Sequence, residues 1–595
     1  MLSDKWIIDR TPTTRFPFYT RGNAADVLAD PVSPLGWTFC WESGIVLGCR
    51  DGFVTFGVFD ADDYGTPPET FGCFGGYFYN SLMQARLMGV RMPGASPEAI
   101  DAAYFDDRPD VPPYVPEPWH DSPRHAEKLA ETQAYIMSAV IHQPVEDQHA
   151  IALEIRRNRP DLSKLSNEEL VARARTMQPH LVAMFEQHAW ASLGASFGPG
   201  GILAIAEGLG RAEDGVRMIG AVGNVDSANI ATQLWDMSRI VRADASLTQL
   251  FDQSFAGGTI NSETVNVMLR KIAAKRFRMF RKSRKRIPVK FATSLQTFMI
   301  DHGGRAPNEW DPAASSYESH PALAFIQIDR LRHQDDSADP HKAHARNSVE
   351  RERLYNEFME LLSGDPETSG AFAASYASSG VWQATRERCK SNNIAAIHEV
   401  RVCFNEIGRR MVVAGHLAAT EQIYMLLESE LEEYLNDPAS FKKTLADRFV
   451  DHQALALLDP PYIIGPDVPP LSKWPRRDVA STDVVKVGDV LKGVACSAGE
   501  YTGTARVILD PFDPSGLEAG DILVTLNTDP SWTPLFLASG AVVVNLGAVG
   551  SHASIVSREL GIPCVASVAD ATKKIPDGAN ITVNGSTGTI TINSL

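Results

Sequence analysis

The sequence predicts an α+β protein of several domains: a strand-rich beginning, a mostly α-helical middle and a small C-terminal domain of alternating strands and helices. Length is the first reason, because 595 residues exceed what one hydrophobic core organises. Periodicity is the second: apolar residues recur at 3.6-residue spacing through 224–252, 348–362 and 371–435. The third is a change of character near Asp459. There DPPYIIGPDVPPLSKWP spaces prolines in a way no helix tolerates, then gives way to short alternating stretches rich in Gly, Val, Thr and Asp. The expected boundaries are 1–458 for the first region, 459–478 for a semi-rigid linker and 479–595 for the C-terminal domain.

The first region opens with 44–48 and 53–59, where β-branched and aromatic residues lie between glycine and aspartate and read as strands. Trp37, Phe39, Trp41, Phe71, Phe74, Tyr77, Phe78 and Tyr79 belong mostly to a core, with a minority suited to an apolar pocket wall. From about His120 the pattern turns helical, and Ser166 with Glu169 three residues on forms a capping box.

Composition narrows the functional classes. Hydrophobic content of 44% and charged content of 22% are ordinary for a globular protein. No uninterrupted apolar run nears the roughly 20 residues of a membrane span, and the start MLSDKWIIDRTPTTRF lacks the pattern of a secretory signal. Seven dispersed cysteines without a C-x-x-C pair argue against a disulfide framework or a structural zinc, so a reducing, cytoplasmic setting is expected. A net charge of −17 disfavours nucleic acid as a ligand. The basic stretch 270–290 runs against that balance and reads either as a solvated helix face or as a docking surface for an acidic partner. His341 and His344 near Asp335, Asp336 and Asp339 read as an exposed charged loop before a helix rather than a metal site.

The chemistry concentrates near the C-terminus. Residues 541–544 (AVVV) read as a buried strand, followed by a glycine-rich turn and a helix over 551–560 that Gly561 and Pro563 stop. His552 then lies in the first helical turn, where free N–H groups and the dipole favour an anion on its ring. A neutral imidazole is a competent nucleophile there. A serine hydrolase is a poor alternative, since adjacent Ser551 and His552 cannot adopt nucleophile–base geometry and 194–198 (GASFG) lies in the helical middle. No Walker A loop occurs, and 198–201 (GPGG) reads as a turn.

The stretch 546–563, LGAVGSHASIVSRELGIP, resembles the signature of the mobile domain of PEP-utilising enzymes, Gly-Gly-x-x-Ser-His-x-x-Ile-Val-x-Arg-Glu-x-Gly-Ile-Pro. The family includes phosphoenolpyruvate synthase, pyruvate phosphate dikinase and rifampin phosphotransferase. Residues 493–507, 520–524, 528–534 and 583–585 continue the likeness, with Ala548 in place of the second glycine and Asn584 in place of an aspartate. The resemblance implies a swivelling β/β/α phosphohistidine domain in which His552, next to Ser551, carries the phosphoryl group.

Parts of the first region are similar to the rifampin phosphotransferase and phenylphosphate synthase group: 21–23, 30–35, 303–311 and 406–417, with Gly304 standing where histidine is usual. What this implies is an acceptor-binding region whose Arg386 and Lys390, four apart on one helix face, meet the phosphohistidine. His302, Arg305, Glu309 and Asp311 become acceptor-site candidates, with His302, Glu309 and Asp311 also candidates for the base. The expected scheme is a divided phosphotransferase. A separate ATP-grasp subunit uses ATP and Mg²⁺ to charge His552, which passes the phosphoryl group to a small-molecule hydroxyl, a phenolic or aromatic compound first. An antibiotic hydroxyl, an organic acid, or a phosphocarrier role without a small-molecule product are the alternatives.

Overall fold

The computed structural model describes residues 3–595 except 106–109, 122–123, 224, 257–262, 264, 266, 269–288, 478–483, 512–515 and 549. The basic stretch 270–290 therefore lies almost wholly outside the described residues.

The N-terminal part does form a sheet, but not from the segments that read as strands. β1 (Tyr19–Thr20), β2 (Phe71–Phe74) and β3 (Tyr77–Ser81) are short and antiparallel. After β1 comes the single turn α1 (Ala24–Val27). Residues 44–48 and 53–59 instead fall in and around a continuous helix, Gly36–Ile45 wound with the wider π pitch and α2 (Val46–Phe56). The misreading has a physical cause. Gly44, Gly48 and Gly52 are four apart, so they share a helix face rather than bound strands. On that face a Cβ at Gly48 would stand 2.3 Å from the Val182 carbonyl and one at Gly52 2.4 Å from that of Glu186. Glycine lets two helices touch by their backbones.

The helical region is built on two long elements. Ser166 caps α3 (Asn167–Arg175), with the reciprocal Glu169 bond in place. α4 (Gln178–Gly208) follows and packs along α8 (Pro366–Val413), with α5 (Asp226–Ala243), α6 (Ala322–His333) and α7 (Pro340–Leu361) around them. The 198–201 segment is no turn but lies inside α4, with Pro199 in the helix. A Cβ at Gly198 would meet the Ser379 backbone at 2.3 Å, so the glycine serves close packing on α8.

The proline-containing stretch after Asp459 is docked. β4 (Ile463–Ile464) pairs with β1 as the outer strand of the sheet β2-β3-β1-β4. The hydroxyls of Tyr77 and Tyr79 donate to the carbonyls of Leu458 and Pro461, and Trp474 is buried.

The C-terminal domain is one eight-stranded mixed sheet. Its strands are β5 (Val490–Lys492), β6 (Val494–Ser497), β7 (Glu500–Val507), β8 (Ile522–Thr525), β9 (Ala541–Val544), β10 (Cys564–Ala566), β11 (Asn580–Asn584) and β12 (Thr589–Ser594). The run β7-β8-β9-β10 is parallel and its central members are wholly buried, with apolar layers on both faces. α9 (His552–Leu560) follows β9 and covers one face. The loops after β8 and β9 leave the carboxyl ends of parallel strands, where open α/β sheets place their sites. Both loops face α8 and α1.

Candidate functional site

His552 occupies the first position of α9. Ser551 precedes it in extended conformation, its hydroxyl bonded to that of Ser554 at 3.0 Å rather than to the helix backbone. Gly561 ends the helix at φ 71°, where a side chain would be strained. Ala548 does not need a positive φ, so its departure from the family glycine carries no backbone strain.

The His552 ring is 6% exposed and fixed on both sides. Nδ1 is hydrogen-bonded to the Thr528 hydroxyl at 3.0 Å, Nε2 lies 3.5 Å from that of Thr533, and Phe536 meets the ring edge-on. Burial, then the Lys390 cation, pushes its pKa well below the ordinary 6.5, so the ring is neutral at pH 7.

Facing it, α8 supplies Arg386 and Lys390. Arg386 donates to the Gly550 carbonyl at 2.7 Å, in the turn that launches α9. A Cβ at Gly550 would stand 3.1 Å from Arg386 Nη1, so glycine is what admits the guanidinium. Lys390 pairs with Glu309 at 3.1 Å, and Glu309 also takes the Arg305 fork at 2.6 and 3.1 Å. Burial would raise the Glu309 carboxyl, but Arg305 and Lys390 overcome it and hold it at about 2.

A cavity of about 250 Å³ lies between these groups, walled by the His552, Thr528 and Asp529 loops, Asp26 of α1, His188 of α4, Trp310, and Arg386 and Lys390 of α8. Of the residues singled out from sequence, His552, Arg386, Lys390 and Glu309 line it; Arg305 stands behind Glu309, and Ser551 beneath His552. His302 is buried off the cavity against Phe298, its pKa drawn down to about 3 by burial. Asp311 is turned elsewhere, accepting from the backbone and hydroxyl of Ser33, both at 2.6 Å, and from Ala313 N at 2.9 Å. Gly304 lies under His398, where a Cβ would stand 2.9 Å from the histidine's Cβ; His398 pairs with Glu318 at 2.7 Å. No histidine fits at 304 while His398 holds that space. His341 and His344 part company, the first bonding Asp236 at 3.1 Å and the second Glu559 at 3.2 Å.

Three groups at the cavity escaped the sequence reading. Burial raises Asp529 to about 7 and Asp26 to about 6, with Lys390 opposing the shift in both. Burial lowers His188 to about 3, helped by Arg386 and Lys390. Asn23 and Asn308, also in the wall, hold left-handed backbones at φ 59° and 49°, a strain that asparagine tolerates best and that clusters at functional sites. Asp529 sits in a stretch already marked by resemblance and Asp26 between two such stretches, yet nothing in the sequence distinguishes them from turn formers; His188 carries no local signal.

Fold and site thus describe a C-terminal domain built on one mixed sheet that presents a buried histidine to a cationic helix of the helical region. The C-terminal domain is matched over 517–588 by the model of the PEP-utilising enzyme mobile domain, and 184–387 by that of the rifampicin phosphotransferase fourth domain. Among curated proteins, the chain is similar to an uncharacterized phosphotransferase, YvkC, of Bacillus subtilis, 28% identical over 309 residues, 51% of this chain and 36% of that one. It is 38% identical over 183 residues to rifampicin phosphotransferase of Streptomyces sviceus, 31% of this chain and 20% of the relative. The Bacillus subtilis rifampicin phosphotransferase is 35% identical over 184 residues, 31% and 20% of the two chains. The matches thus span about a third or a fifth of these relatives' length.

Proposed function

We propose that this chain is the acceptor-side component of a dikinase-type phosphotransferase. His552 takes a phosphoryl group from ATP, with Mg²⁺, on a separate ATP-grasp subunit and gives it to a small-molecule hydroxyl in the cavity. The observation that carries this is the neutral, oriented imidazole of His552 facing Arg386 and Lys390 across the domain junction. A phosphoryl group in transfer spreads charge over its equatorial oxygens, and fixed cations stabilise that charge. The imidazole of His552 is the nucleophile, and Thr528 holds its ring plane. Undocking of the C-terminal domain would expose it to the donor.

A cavity of about 250 Å³ with a Trp310 wall suits a phenol-sized acceptor. It lies at or below the small end of the roughly 300–1,000 Å³ typical of ligand pockets. The names of the rifampicin phosphotransferases favour a second reading, an antibiotic hydroxyl. In the docked state that cavity would admit only the edge of a macrocycle. Incubation with an ATP-grasp partner, ATP and Mg²⁺ should add one phosphoryl group to the intact mass of the wild type and none to His552→Ala. An undiminished gain on His552→Ala would exclude His552 as the carrier, and phosphorus NMR with candidate phenols reports the product.

A further inference from the structure

The cavity holds a carboxylate that the transfer described above leaves without a task. Asp26 lies in α1, and its Oδ2 accepts from the backbone N–H of His552 at 3.4 Å, which ties the N-terminal region to the histidine. Its Oδ1 is buried in the cavity wall with no hydrogen-bond partner among the described residues. A buried, unsatisfied carboxylate oxygen costs free energy unless a donor arrives. The other acids are spoken for. Glu309 is held by Arg305 and Lys390, Asp311 by Ser33, and Glu387 has a partner of its own. Asp529 Oδ1 already accepts from the Ser531 backbone and hydroxyl.

We propose that Asp26 is the general base of the acceptor half-reaction, taking the proton of a hydroxyl whose oxygen attacks the phosphoryl group on His552. The inference rests on the phosphohistidine reading above. The step balances: the acceptor O–H bond breaks and its proton passes to Oδ1 of Asp26. The oxygen's electron pair forms the O–P bond, the N–P bond breaks and its pair returns to that ring nitrogen; the other ring nitrogen carries a proton throughout, so the ring left behind is the neutral imidazole. Asp26 loses its negative charge as the ring loses its positive one, so total charge is conserved and the repulsion between carboxylate and phosphoryl group is relieved as transfer proceeds.

The electrostatic setting agrees with that role. Burial raises the Asp26 carboxyl to about 6, against Lys390, the His552 N–H and Arg386, with Glu387 adding to the rise. It is thus mostly ionised at pH 7 yet close enough to accept a proton, the condition for efficient general-base catalysis. His188, drawn down to about 3, is too weak a base. The charged and titratable groups facing Asp26 are Lys390, Arg386 and Glu387 of α8, Glu309, Asp529 and His552.

Phosphoramidate, a small chemical donor, can charge His552 in the full-length protein without any partner subunit. Loss of phosphohistidine is then followed by phosphorus NMR from about pH 5 to 8, with phenol as probe acceptor and with water alone. Wild type should show a discharge limb that rises with pH through about 6. Asp26→Asn should charge equally but lack the limb, discharging about 10²–10⁴-fold more slowly at pH 7. Asp26→Glu should recover part of the rate, and Asp529→Asn should keep the limb. A limb retained in Asp26→Asn, missing from wild type, or lost in Asp529→Asn instead overturns the assignment. Failure of wild type to charge at His552 overturns the phosphohistidine reading and the base together; charging with a pH-independent discharge overturns the base alone.

Discussion

The two walls of the cavity are built on opposite electrostatic principles. The wall given by the helical region is a run of ion pairs, Arg305 to Glu309 to Lys390, in which the two cations hold the Glu309 carboxyl ionised. The opposite wall, from α1 and the C-terminal domain, holds His552, Asp26 and Asp529, whose burial moves each toward its uncharged form. One wall offers fixed charge, which in the proposed transfer would stabilise the phosphoryl group without reorganisation. The other holds groups whose burial eases a change of protonation, and the proposal above uses His552 and Asp26 of these and leaves Asp529 aside. A permanent cation cannot serve as a base, and a titrating acid cannot serve as an anchor, so the division assigns the work.

The division is testable by removing its members in turn. Lys390→Ala should have the largest effect on chemistry, a loss of about 10²–10³-fold in transfer from charged His552 to acceptor. Charging by phosphoramidate should change little, and single-turnover kinetics separates the two steps. Glu309→Gln attacks the fixed wall's stability instead. It leaves Arg305 buried beside Lys390 with no anion, which should cost about 3–5 kcal/mol in urea unfolding at pH 7. The pH dependence has a definite sign: Glu309 is held at about 2 against an ordinary 4.5. Its contribution is therefore complete above the ordinary value and lost as pH falls toward 2, because the unfolded chain takes up the proton first. Wild type and Glu309→Gln should converge in stability over that range. Gly550→Ala should be mildest. The added Cβ meets the flexible tip of Arg386, and the weakened Arg386–Gly550 bond should loosen docking of the C-terminal domain by about 1 kcal/mol or less. Rates of limited proteolysis between the domains report that change.

Residues 541–561 were legible because each local signal agreed with its neighbours: an all-apolar strand, a glycine turn, a nine-residue helix and a glycine stop. Arg386 and Lys390 were named through the resemblance, while their four-residue spacing on an uninterrupted helix told only that they share a face. The reading failed where glycines bring a helix into backbone contact with its neighbour. The 36–56 helix lacks an amphipathic rhythm, so its glycines looked like strand punctuation and only their spacing of four betrayed helix contact. Gly198 misled in the same way. Asp26, His188 and Asp529 come from three distant parts of the chain, and their perturbation exists only once the domains pack. Asp311 shows the converse: a carboxylate inside a suggestive motif that the fold spends on holding Ser33.

The docked stretch around β4 has a mechanical consequence. Arg477 is pinned by its backbone bond to Leu457 and by Asp30, and Val485 is already buried in the C-terminal domain. The chain between those two residues spans at most roughly 28 Å even if fully extended. The C-terminal domain is thus on a short leash with its pivot beside the N-terminal sheet. On the proposed relay, a donor subunit would meet His552 chiefly by rotation of the domain about that pivot rather than by long-range travel. Lengthening the leash should therefore slow the return of a charged His552 to the Arg386 and Lys390 wall by diluting it.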